Sequence, residues 1–119
     1  MVAMSRFFLS LSHAFRGLKV AWKEEPNFRI QTILASGVLL LSFLFQFSYT
    51  EFLAVVVSVV LIVTAEIFNT AIEDLCNKVE PKQDSDIKKI KDLIAAAVLT
   101  SSFGAFVLGI LTFAHHFFT

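Results

Sequence analysis

The chain has 119 residues, enough for one domain, of which 56% are hydrophobic and fourteen are phenylalanine, with a mean hydropathy of +0.75; soluble domains hold about 45–50% apolar residues. Ten Lys and Arg balance ten Asp and Glu, so net charge selects no partner and no nucleic-acid partner is expected. One cysteine, Cys76, excludes an internal disulfide and a cysteine-rich metal site.

The chain opens with "MSRFFLSLSHAFRGLKVAW" (4–22). Met4, Phe7, Phe8, Leu11, Phe15, Leu18 and Trp22 recur at helical spacing, while Arg6, Ser10, His13, Arg16 and Lys19 fall elsewhere. The pattern reads as an amphipathic helix lying on a membrane, phenylalanines down and bases up. The stretch lacks the continuous apolar core and small-residue cleavage site of a secretory leader. Pro26 then breaks or kinks the path.

Three apolar stretches follow, at 30–47, 52–72 and 93–114, each approaching or reaching the ~20 residues that cross a hydrocarbon core. A soluble three-helix protein would need polar outer faces that these stretches lack. Arg6, Arg16, Lys19, Lys23 and Arg29 precede the first stretch, and Lys78, Lys82, Lys88, Lys89 and Lys91 lie between the second and third. The "SYTE" turn and the tail after Leu93 carry no base. This asymmetry makes the N-terminus and the 74–91 region cytoplasmic, and the "SYTE" turn and C-terminus external. Ser85 or Asp86 is expected to cap the last helix, and Pro81 to end the one before it. Ser101, Ala105 and Gly109 make a small-residue face suited to close helix contact. His115 and His116 read as interfacial residues.

The second span, "FLAVVVSVVLIVT", runs without a break into "AEIFNTAIEDLCN". With Glu66 at zero and ~100° per residue, Asn69 falls near −60°, Glu73 near −20°, Asn77 near +20° and Thr70 near +40°. One helix therefore carries a polar stripe from within the hydrocarbon region to the cytoplasmic surface. A carboxylate at the depth of Glu66 costs on the order of a few kcal/mol, and such residues mark function. Glu66 suits a base that takes a proton from a hydroxyl. Glu25 and Glu73 can hold a hard divalent cation through oxygen. Lys91, beside Asp92 at a similar depth to Glu73, can take phosphate charge. The parts fit phosphoryl transfer from a soluble nucleotide to a lipid alcohol, with neither a Walker-type nor a kinase-type glycine loop in the chain. The alternative is a small proton-coupled transporter using Glu66, which leaves Glu73, Lys91 and Asp92 without a purpose.

"HAFRGLKVAWKEEPNFRI" (13–30), "AEIFNTAIE" (65–73) and "IKDLIAAAVL" (90–99) resemble the small integral-membrane diacylglycerol kinase and undecaprenol kinase family, over nearly the whole chain. The opening "RFF" with "HAFRG", and the E-x-N-F before the first span, look closer to the undecaprenol kinase branch. The resemblance implies an all-α membrane protein: a surface helix (4–24) and three transmembrane helices (29–48, 52–78 and 86–115) in one domain over 1–119. It implies a homotrimer with composite sites in the cytoplasmic membrane, using ATP and magnesium on a membrane lipid, undecaprenol or diacylglycerol. By the same resemblance Glu66 matches the catalytic base, and Glu25 and Glu73 the metal carboxylates. Arg6, His13, Glu25, Asn69, Glu73, Asn77, Lys91 and Asp92 match nucleotide-binding positions, and Arg6, Trp22, Glu66 and Ala95 lipid-binding ones. Asn77 stands where the family usually carries an aspartate, and "EPKQDSDIKK" lacks the histidine that commonly precedes the third transmembrane helix.

Overall fold

The computed structural model describes residues 2–80, 82 and 84–119. These form four helices: α1 (Val2–Glu24), α2 (Pro26–Leu44), α3 (Tyr49–Val79) and α4 (Ser85–Phe118). α2, α3 and α4 are each long and apolar enough to cross a membrane. The architecture is all-α, an amphipathic helix leading three long apolar ones.

Proline chemistry makes the first junction. A residue preceding proline is pushed out of the helical region, and Glu25 is extended at φ −116°, ψ 104°. Pro26 occupies the first turn of α2, where its missing N–H costs nothing. The proline thus starts a helix here, and the single residue Glu25 forms the corner. Arg29 secures it. Its Nη1 donates to the carbonyls of Trp22 (2.8 Å) and Lys23 (3.0 Å), two acceptors that the end of α1 leaves open. Ala21 and Phe28 are buried on either side of the corner, and every other described residue of α1 is exposed.

The turn from α2 to α3 lies earlier than "SYTE", at residues 45–48. Gln46 adopts φ 56°, the Phe47 N–H donates to Ser42 O (3.0 Å) and the Gln46 N–H to Phe43 O (3.1 Å). This is a Schellman cap with glutamine in the left-handed position usually held by glycine. Ser48 then caps α3. Its hydroxyl accepts from the Glu51 N–H (3.2 Å), and its own N–H donates to Glu51 Oε1 (2.8 Å). "SYTE" is therefore a capping box that opens the helix, and its last three residues are already helical.

At the other end α3 stops at Val79, and Glu80 is extended. Pro81, expected as the helix stop, lies outside the described residues. Asp84, rather than Ser85 or Asp86, caps α4: its Oδ2 accepts from the N–H groups of Asp86 (3.0 Å) and Ile87 (3.1 Å). Ser85 and Asp86 already stand in the first turn, where their side chains cannot reach these donors.

α3 is the centre of the fold, packed on α2 and, more extensively, on α4. The molecule is flat, 53 × 45 × 23 Å, and its apolar core is thin: Ala21, Phe28, Val55, Cys76 and Ala105. Of the small-residue face, Ala105 is buried and Ser101 and Gly109 are half-buried. Large apolar residues such as Leu34, Phe43, Val60, Leu99 and Phe106 face outward, as lipid-facing residues do. The buried hydroxyls of Ser58 and Thr112 bond to a carbonyl one turn back, Ala54 O (2.9 Å) and Leu108 O (2.7 Å), so these two present no unpaired donor to hydrocarbon, whereas the Thr32 hydroxyl is buried without a partner among the described residues. An aromatic cluster closes the end near the α2–α3 turn. Phe47 stacks on His116 (4.2 Å) and meets Phe113 edge-on (4.8 Å), while Phe45 meets Phe117 (5.2 Å).

Candidate active site

Helical spacing places Glu66, Asn69, Thr70, Glu73 and Asn77 on one face of α3, at the end of the molecule opposite the aromatic cluster. Exposure grades along this stripe: Glu66 is buried, Asn69, Thr70 and Glu73 are half-buried, and Asn77 is exposed. Glu66 is only 5% exposed and is the one fully buried charged residue among the described residues. The Thr70 hydroxyl donates to the Glu66 carbonyl (3.0 Å), which leaves the carboxylate free of that hydroxyl.

Glu25 reaches this stripe from the corner between α1 and α2. The charges that act on Glu66 are the carboxylates of Glu25 and Glu73. A buried carboxylate with two others near it favours the arrival of a cation. Among the described residues no three His, Cys, Asp or Glu side chains gather closely enough to hold a metal ion. The protein thus offers no complete cage. A small divalent cation that keeps its waters and shares a substrate's phosphates needs only one or two carboxylates, and Glu25 and Glu73 fit that requirement.

Lys91 comes to the stripe from α4, and Asp92 beside it does not. Lys91 Nζ donates to Asn77 Oδ1 at 2.7 Å, so the ammonium is fixed at the exposed end of the carboxylate row. Asp92 pairs within its own helix, with Lys88 at 2.9 Å. The outer cation has few barriers to a soluble, multiply charged ligand, while the inner carboxylate is held away from water.

Other sequence candidates stand apart. Arg6, His13, Trp22 and Ala95 are all exposed. His13 Nδ1 lies 3.4 Å from Arg16 Nη1, a contact within α1. The sequence reading missed Arg29, whose bonds to the last carbonyls of α1 fix the corner that carries Glu25. It also missed Gln31, whose Oε1 is buried without a hydrogen-bond partner among the described residues.

A groove marks the apolar part of the molecule. It runs along α3 between α2 and α4, about 460 Å³ in volume, lined by Gln31, Val38, Val55, Ile62, Ala105 and Gly109 among others. Ile62, one turn before Glu66 on α3, lines it, while Glu66 itself does not. The groove's walls are mostly apolar, with Gln31, Ser58 and Ser102 as the polar side chains.

The sequence profile of the family described as prokaryotic diacylglycerol kinase matches residues 12–113. That span contains every stripe residue, Glu25, Lys91 and Asp92, but neither Arg6 nor His116. The chain is 31% identical over 110 residues to an undecaprenol kinase of Bacillus subtilis, covering 92% of this chain and 89% of that one. It is 31% identical over 105 residues to a diacylglycerol kinase of Helicobacter pylori, covering 87% and 82%. It is 28% identical over 89 residues to a diacylglycerol kinase of Haemophilus influenzae, covering 75% of each.

Proposed function

This chain belongs to the prokaryotic diacylglycerol kinase family of lipid kinases, and we propose that it transfers the γ-phosphoryl group of ATP to the hydroxyl of a membrane lipid alcohol, undecaprenol or diacylglycerol. The observation that carries this reading is Glu66, a buried carboxylate on an apolar helix and at the inner end of a row that leads out to a fixed ammonium.

In this reading the lipid tail lies along α3, and its hydroxyl reaches Glu66. Glu66 accepts the hydroxyl proton as the oxygen attacks the γ-phosphorus, and ADP leaves. Lys91 draws in the phosphates and balances their charge. Asn69 and Asp92 line the nucleotide's approach, and Arg6 and His13 reach nucleotide or lipid from the surface helix. Trp22 and Ala95 lie against lipid. Magnesium would sit between Glu25 and Glu73, where it would offset the phosphate charge.

The chain would lie in the cytoplasmic membrane, with the N-terminus and the α3–α4 turn in the cytoplasm and the C-terminus outside. A flat molecule with a one-layer core leaves the outer side of the site open, so a second copy completes it, and the assembly is a homotrimer with shared sites. The deciding experiment offers purified protein labelled ATP and magnesium in mixed micelles, with undecaprenol and diacylglycerol in parallel. A labelled lipid phosphate from at least one alcohol is expected. No labelled lipid from either would overturn the reading.

A further inference from the structure

We infer that Arg16, Lys19 and Lys23, with Arg29 at the end of their row, form a binding edge for the headgroups of anionic lipids, so that α1 gathers negatively charged lipid beside the site end of the molecule. The inference goes beyond phosphoryl transfer and does not depend on it. It rests on α1 lying in the membrane surface.

At ~100° per residue, Arg16, Lys19 and Lys23 fall within ~40° of one another on α1, roughly 130° round from the middle of the face made by Phe7, Phe8, Leu11, Phe15, Leu18 and Trp22. All three bases are exposed. The Arg29 guanidinium, bound to the carbonyls of Trp22 (2.8 Å) and Lys23 (3.0 Å), adds a positive charge where the row ends. Nothing in the chain neutralises it. Glu24 is the one acid of α1, and the positions three and four residues from Arg16, Lys19 and Lys23 carry no carboxylate. Among the described residues the ion pairs are Lys88 with Asp92 and His116 with Glu51, so none of these four bases is paired. Arg16 Nη1 lies 3.4 Å from His13 Nδ1, a contact that brings no carboxylate to the guanidinium. Like charges one turn apart on a helix repel, and no contact within the chain offsets that repulsion.

The opposite face of the same helix decides the partner. Phe7, Phe8 and Phe15 are exposed, and Ala21 at the corner is the one buried residue of α1. An apolar helix face beside three membrane-length helices is covered by hydrocarbon rather than by a soluble protein. The arginine and lysine stems then run along the flank of the helix and set their charged heads among the headgroups. A headgroup with net negative charge balances such a row, and a zwitterionic one, which brings its own cation, does not.

Trp22 is the single tryptophan and adjoins Lys23, so its fluorescence reports the lipids at the row. The test reconstitutes the intact protein in vesicles of phosphatidylcholine and phosphatidylglycerol at fixed proportion, with brominated acyl chains on one lipid or the other, and reads the quenching of Trp22. Brominated phosphatidylglycerol is expected to quench as though enriched about fivefold over phosphatidylcholine at the helix, the scale of one base acting on one charged headgroup. The excess should vanish in about 1 M salt, where charges are screened beyond ~3 Å. It should vanish also when Arg16→Gln, Lys19→Gln and Lys23→Gln are combined, glutamine being as good a helix former, with circular dichroism to check that helicity is kept. It should persist when Lys78→Gln, Lys82→Gln and Lys89→Gln are combined, which removes the same charge from around the α3–α4 turn. Equal quenching by the two lipids in the parent chain would overturn the inference and leave the row to an acidic soluble partner. An excess that survives loss of the row would overturn it, and so would one that the second triple variant also abolishes. No turnover enters these measurements, so such a failure would leave the lipid kinase reading as it stands.

Discussion

His116 Nδ1 stands 3.0 Å from Glu51 Oε1, joining residues sixty-five positions apart at the end of the molecule away from the stripe. The same carboxylate atom accepts from the Ser48 N–H in the capping box, and the imidazole stacks on Phe47. One carboxylate therefore ties together the α2–α3 turn, the start of α3 and the end of α4. His116, expected as a loose interfacial residue, is a structural one. His116→Ala should lower the thermal midpoint and leave the KM for ATP unchanged. Ser48→Ala should cost about 1 kcal/mol, the usual loss for a helix cap. Thermal unfolding in detergent checks both, and an unaltered midpoint for His116→Ala would show that the contact holds nothing.

Glu66→Gln keeps the shape of the side chain and its hydrogen bonds but accepts no proton. Activity should fall by about a hundredfold or more, the scale of a lost general base, with normal extraction and thermal midpoint. Single-turnover assays at saturating ATP measure it. Near-parental turnover would take the base role from Glu66.

Glu25→Ala and Glu73→Ala should each raise the magnesium concentration needed for half-maximal activity and weaken nucleotide binding, because each removes a hard oxygen ligand. Magnesium titrations that overlay the parental curve would exclude this pair as the metal carboxylates.

A reporter fused after Thr119 should read as external and one inserted near Lys82 as cytoplasmic, because all ten basic residues flank the same side of the apolar helices. The reverse pattern would part the stripe from cytoplasmic ATP, and no lipid kinase of the proposed kind could work in that orientation.

Mixing Glu66→Gln protomers with Lys91→Ala protomers should restore part of the activity if the two residues meet across a subunit boundary. The hydrogen bond from Lys91 to Asn77 is made within one chain, so such recovery would mean that the nucleotide of one protomer serves the Glu66 of its neighbour. Absence of recovery in well-exchanged mixtures would place both residues of a site in the same chain.

Much of this molecule was legible from residue pattern. The three apolar runs left no choice but long helices, because their length and uninterrupted hydropathy admit little else. The stripe followed from the 3.6-residue repeat alone, since Glu66, Asn69, Glu73 and Asn77 lie on one helix. What joins different helices was not legible. Nothing local in the sequence distinguishes Arg29 as the residue that seals α1, or pairs Glu51 with His116, because these depend on where the turns direct each helix. The turns were misread for a related reason. Ser48 and Glu51 have the spacing of a capping box, yet next to a hydrophobic run they resembled a loop, and the glutamine in the left-handed position carried no glycine signal. Asp84 was passed over as a cap because Ser85 and Asp86 stood beside it.

The corner at Glu25 is a joint one residue long. Its two backbone torsions set the angle between the surface helix and α2, and they also set the direction of the Glu25 side chain, so neither can change alone. Any change in the angle between α1 and α2 has to pass through these torsions and through the Arg29 bonds to the carbonyls of Trp22 and Lys23. The seating of an outer helix in lipid and the aim of an inner ligand are thereby one mechanical variable. Replacing Pro26 with alanine would let α1 and α2 approach a continuous rod and uncouple the two.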